Sequence, residues 1–154
     1  MATVQLANLD ARLTYLAVQY HLARPGSELD PETKQLAAHG LGEVARALEP
    51  QLDRAVASVA LSDHQRGRLL SAIAGAVNEL KSYALLDAGG RTVVPAFHEA
   101  LHRFFPTVRE EPDEASQLAG HMIALRRKLE RVEPDTASAV ATRRAWWRFW
   151  DRSA

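Results

Sequence analysis

The chain has 154 residues, 47% of them hydrophobic and 25% charged, with 19 basic residues balancing 19 acidic ones and no cysteine. That length and composition fit one folded domain with a substantial core and argue against disorder. Zero net charge gives no global pull toward nucleic acid or an anionic membrane. The absence of cysteine excludes disulfides, thiolate catalysis and cysteine-ligated zinc or iron–sulfur sites. Met1–Leu13 lacks the basic-then-apolar pattern of a secretory leader. No stretch approaches the roughly 20 apolar residues of a membrane span, so the expected compartment is the cytoplasm.

Apolar residues recur at helical spacing along almost the whole chain. Leu6, Leu9, Leu13, Leu16 and Tyr20 form one stripe, and Tyr15, Val18 and Leu22 a second, predicting a first helix with neighbours on two sides. Pro25-Gly26-Ser27 ends it, and Asp30-Pro31-Glu32 reads as an N-cap with proline in the first turn. Ala37, Leu41, Val44 and Leu48 mark a second helix. Pro50 predicts a kink or break, beyond which Leu52, Val56 and Val59 continue the stripe. Ser62 and Asp63 are positioned to cap a third, long helix, the candidate for a central one. Its stripes are Leu70, Ile73, Val77, Leu80 and Ala84, and Leu69, Ala76 and Tyr83. Gly89-Gly90 stops it, and Arg91-Thr92-Val93-Val94 reads as briefly extended. Pro95 opens a short helix that Pro106 ends. A fifth runs from near Pro112 to Val132 on Leu118, Met122, Leu125, Leu129 and Val132. Glu133-Pro134-Asp135 breaks the chain before a last helix. With no alternating run, the expectation is an all-α antiparallel bundle of five to seven helices without a sheet. Residues 1–134 form its body, with an Arg/Trp-rich helix, 135–154, docked on it.

Residues 98–102 read His98-Glu99-Ala100-Leu101-His102. The pattern resembles the pentad of zinc hydrolases, in which two histidines four apart on a helix hold the metal and the glutamate activates a bound water. What it implies is metal at His98 and His102 with Glu99 as catalytic base. The fifth helix carries Glu114, Gln117 and His121 at spacings of three and four. An antiparallel hairpin of the two helices would bring His121 level with His98, giving a zinc or iron site of His98, His102, His121 and Glu114. Against a working peptidase stand the absence of a predicted sheet, Arg103 directly after the second histidine, and the lack of a third histidine in the extension that metzincins carry. Histidines packed at the edge of an apolar face are the plainer expectation, with no cofactor.

Two other comparisons stop short of a match. The hemerythrin-like order of iron ligands could be laid on His21, His39 with Glu43, His98 with His102, and His121, but Arg126 stands where an aspartate is needed. His39 and Glu43 also fall opposite Leu41, Val44 and Leu48, toward water. Histidine phosphotransfer domains have lysine and glycine after the leucine that follows their histidine, where this chain has Gly42 and Glu43. The carboxy-terminal stretch has a different character. Arg143, Arg144, Trp146, Trp147, Arg148, Phe149 and Trp150 combine the two residue types most enriched at binding hot spots. The function expected is therefore a non-catalytic interaction or regulatory module whose partner is another protein or itself as a homodimer, with no nucleic acid and no membrane contact. A metal-binding helical protein is the alternative.

Overall fold

The computed structural model describes residues 1–23, 40–85 and 94–132. Within them the chain is mostly helical, but it opens with a strand, β1 (Ala2–Ala7), followed directly by α1 (Asn8–Ala23). Then come α2 (Leu41–Leu48), a 3-10 turn (Glu49–Gln51), β2 (Val56–Leu61) and α3 (Asp63–Leu85). The remainder is α4 (Pro95–Phe104), a 3-10 turn (Pro106–Arg109) and α5 (Glu114–Glu130). The breaks at Pro50, Pro106 and near Pro112 fall where the sequence puts them. The expected turn at Pro25–Ser27, the cap at Asp30–Glu32, Ala37, His39, the Gly89-Gly90 stop, Arg91–Val93 and the terminal helix lie outside the described residues.

The expectation of no sheet is corrected. β1 and β2 pair antiparallel, from Ala2 opposite Leu61 to Ala7 opposite Val56. Their side chains alternate. Val4 and Leu6 on β1, and Ala57, Val59 and Leu61 on β2, are buried, while Thr3, Gln5, Val56, Ser58 and Ala60 face out. Leu6 and the Val56–Val59 spacing read as helical because steps of three and four are helical intervals, whereas on the strand a step of three joins the outward Val56 to the inward Val59.

The ladder runs one step past β1, where the Asn8 amide donates to the Ala55 carbonyl at 3.0 Å. Hydrogen-bonded positions alternate in an antiparallel pair. Leu6, Val4 and Ala2 therefore turn their amides and carbonyls toward β2, and Thr3, Gln5 and Ala7 turn theirs outward. On β2 the outward set is Val56, Ser58 and Ala60. There the Gln51 side chain stands in for a third strand. Its Oε1 accepts from the Ser58 amide (3.0 Å), and its Nε2 donates to the Ser58 carbonyl (3.0 Å) and to Ala47 (2.7 Å). Among the described residues nothing equivalent covers the outer edge of β1.

α1, rather than α3, is the hub. Six consecutive residues, Leu13–Val18, are buried. At about 100° per residue such a run faces every direction, so neighbours must surround the helix. α2, α3 and α4 all pack on it, with the sheet at its amino-terminal end, and α5 packs along α3. Thr14 enters this interior because its Oγ donates to the Asp10 carbonyl one turn back (2.7 Å). The Asn8 side chain binds α1 to the turn before β2, donating to the Leu52 (2.7 Å) and Arg54 (2.8 Å) carbonyls.

Two local devices fix α3. Ser62 and Gln65 form a reciprocal cap: Ser62 Oγ accepts from the Gln65 amide (3.1 Å), and Gln65 Oε1 accepts from the Ser62 amide (2.9 Å). Gln65 Nε2 also donates to the Gly40 carbonyl (3.2 Å), joining the starts of α2 and α3. Further along, Gly75 lets the Tyr20 ring of α1 lie against the α3 backbone; a β-carbon there would come within 2.2 Å of Tyr20 Cε1. Gly75→Ala is accordingly expected to destabilise the protein by about 1 kcal/mol, since overpacking of roughly 1–3 kcal/mol outweighs a helix-propensity gain of about 1 kcal/mol. In a Tyr20→Ala background the sign should reverse, and chemical denaturation of the four-member cycle measures it.

Candidate functional site

α4 starts with Pro95, whose missing amide is harmless in the first turn. Phe97, Ala100 and Leu101 are buried and turned inward, which sets His98 and His102 at the edge of the face and leaves Glu99 exposed. Phe97 meets Tyr20 of α1 edge-on at 5.9 Å. The two histidines turn instead toward α3, where Glu79 and Tyr83 have the same four-residue spacing. His98 Nε2 lies 3.0 Å from Glu79 Oε1, and His102 Nε2 lies 2.8 Å from the Tyr83 hydroxyl. The result is two matched rungs, 79 with 98 and 83 with 102, climbing both helices in the same chain direction. The Tyr83 ring also meets both imidazoles, at 5.3 and 5.7 Å.

Electrostatics keep the upper rung neutral. Burial lowers the His102 pKa below its ordinary 6.5, and the positive charges of Arg109 and of His98, when protonated, push the same way. Burial likewise raises the Tyr83 phenol above its ordinary value, outweighing the opposing pull of Arg109. A neutral phenol and a neutral imidazole thus share one hydrogen bond. The lower rung pairs a carboxylate with an imidazole, and both side chains are largely covered, at 19% and 16% exposure.

The expected metal ligands are only partly brought together. His98 and His102 are neighbours, with ring centroids 6.3 Å apart. α4 and α5 do not form the expected hairpin, because α4 lies on α1 while α5 lies along α3. His121 is exposed on α5. Glu114 stands in the first turn of α5 and accepts a hydrogen bond from the Thr107 hydroxyl, a role suited to a helix amino terminus. Among the described residues no three His, Asp or Glu side chains are grouped so as to hold a metal ion. Nε2 of each pentad histidine is engaged by α3, and Glu99 is exposed rather than turned into the seam.

The pentad's spacing located the seam, but not its other half. Nothing in the sequence of α3 alone singles out Glu79, and Tyr83 reads there only as core. The signal available was the repeated four-residue offset on two helices. A second cluster, also unforeseen, joins α1 to α4: Arg12 and Arg103 approach the Phe104 ring at 5.6 and 4.9 Å, and Tyr15 meets that ring edge-on at 5.7 Å. Arg12 continues to Asp53 (3.2 Å) and Arg103 to Glu49 (4.0 Å). Arg143, Arg144, Trp146, Trp147, Arg148, Phe149 and Trp150 lie outside the described residues. Compared with family models, with curated proteins and with solved structures, the chain matches none of them.

The depressed His102 pKa has a stability consequence with a definite sign. Between its folded value and 6.5 the unfolded chain binds more protons at this site than the folded one. The contribution of the neutral imidazole is therefore complete above pH 6.5 and declines as pH falls through that value. Denaturation at a series of pH values is expected to show the stability gap between wild type and His102→Gln shrinking on acidification. Tyr83→Phe should cost about 1 kcal/mol at neutral pH, from the lost hydrogen bond.

Proposed function

We propose that this chain is a non-catalytic helical module that works by binding another protein or a second copy of itself. The observation that carries this reading is the outer edge of β1. Thr3 and Gln5 turn their amides and carbonyls outward, away from β2, no described residue is hydrogen-bonded to those outward groups, and neither residue is charged. Strand edges are ordinarily blunted by lysine, proline, bulges or covering groups, because an open one recruits another strand. β2 follows that rule through Gln51. The contrast between one capped edge and one that no described residue caps supports a binding role for β1. The aromatic–arginine stretch 143–150 adds a second candidate contact on composition alone.

A zinc- or iron-binding role through His98, His102 and His121 has less support. Its two paired histidines already spend Nε2 on Glu79 and Tyr83, and its third is exposed on a helix that packs elsewhere.

The interaction reading is testable in the living cell. A benzophenone amino acid placed at position 3 and irradiated is expected to give one discrete adduct, identified by mass spectrometry. The same probe at the exposed position 99 should give none. Free chain alone at both positions would overturn the reading.

A further inference from the structure

The occupant of the β1 edge can be specified further, on the premise that the interaction reading holds. We propose that it is a second copy of this chain, the two β1 strands pairing antiparallel about a two-fold axis to form a continuous four-stranded sheet in the order β2-β1-β1-β2.

Four observations converge on a second copy rather than on a foreign peptide. First, the outward-facing positions are self-complementary. With the axis at Val4, Thr3 lies opposite Gln5 of the second copy and Gln5 opposite its Thr3, each a hydrogen-bonded pair, while Ala7, which leads straight into α1, stays at the margin. Second, the pairing keeps the faces in phase. Val4 meets Val4 and Ala2 meets Leu6 on the covered side, while Thr3 and Gln5 meet on the wet side.

Third, no side-chain pocket accompanies the edge. Peptides that add to a sheet gain specificity from pockets for alternate side chains. Here Val4 and Leu6 are already 6% and 1% exposed, so the inner face beneath β1 is closed. A foreign strand would hang its inward side chains beyond any cover, whereas a second copy arrives with its own Val4 and Leu6 already buried. Fourth, of the described helices α2 and α3 pack on the β2 side of the sheet. β2 is held by α2, α3 and the Glu49–Gln51 turn as well as by β1, whereas β1 packs chiefly on β2 and α1. A chain of zero net charge adds no general repulsion between copies.

The register makes the test specific. The purified full chain is followed by sedimentation equilibrium from about 10 µM to about 1 mM, a range suited to a small contact. Wild type should pass from one chain to two. The double substitution Thr3→Lys/Gln5→Lys sets like charges opposite each other twice and should weaken the dimer about tenfold at low salt. The double substitution Thr3→Glu/Gln5→Lys sets opposite charges at the same two pairs and should restore association. Thr3→Pro removes an outward amide that β2 does not use and should abolish association. Unchanged thermal melting of the monomer establishes that each variant folds. A wild type that stays monomeric throughout overturns the proposal, as does a dimer indifferent to the paired lysines. If the position-3 adduct in cells contains a different protein, the second-copy assignment fails while the interaction reading stands. A monomer that also gives no adduct removes both.

Discussion

Burial of α1 on all its sides is the constraint on which the rest of this structure depends. A helix with six successive buried residues has no solvent face along its middle, so its polar groups must be satisfied from within or moved to its ends. Thr14 takes the first course by bonding back to its own helix. The amino-terminal end takes the second: Asp10 meets Lys128 of α5 at 2.7 Å, and Arg12 reaches the Leu52 carbonyl at 3.1 Å. Every neighbour then has to fit around the hub. Gly75 supplies clearance for Tyr20, and Tyr20 in turn meets Phe97 edge-on. The position of α4, and with it of the two histidines, follows from packing on α1.

This explains why the two histidines of a pentad with the spacing of a metal motif hydrogen-bond to α3. Two histidines one turn apart will meet whatever the adjacent helix offers at the same interval, and α3 offers a carboxylate and a phenol. Each rung replaces part of the hydration that a half-buried imidazole would otherwise lose. The exposed Glu99 completes the sequence pattern without joining the geometry.

The helices were largely legible in the sequence because their apolar steps are long and their ends carry recognisable chemistry. The breaks at Pro50 and Pro106, the cap at Ser62 and the buried Leu118–Leu129 stripe needed only local information. The sheet was not legible, for two physical reasons. Its strands are six residues each, and their alanines blur the contrast between inward and outward positions. Val56 and Val59 also stand at a helical interval from Leu52, although only Val59 and Leu52 are buried. The alternation Thr3-Val4-Gln5-Leu6 was the one usable signal. As for the seam, spacing within one helix showed that His98 and His102 share a side, but the partner across it depends on which helices are adjacent. The loop joining α4 to α5 suggested the wrong neighbour, because a short connection favours a hairpin only when the apolar faces agree, and both helices here bury theirs against earlier elements.

The pairing of residues 2–7 with 56–61 bears on how the chain reaches this state. β1 is made before its only described strand partner, which follows some fifty residues later, and Lys128, which pairs with Asp10, comes later still. α1 is thus synthesised before α2, α3 and α4, the described helices that pack on it. Closing such long loops costs entropy before the contacts return it, and chains dominated by distant contacts fold more slowly than those built from neighbours. Until α2, α3 and α4 emerge, Leu13 and Leu16 lack those neighbours, and exposed apolar surface of that kind makes a partly made chain prone to aggregate.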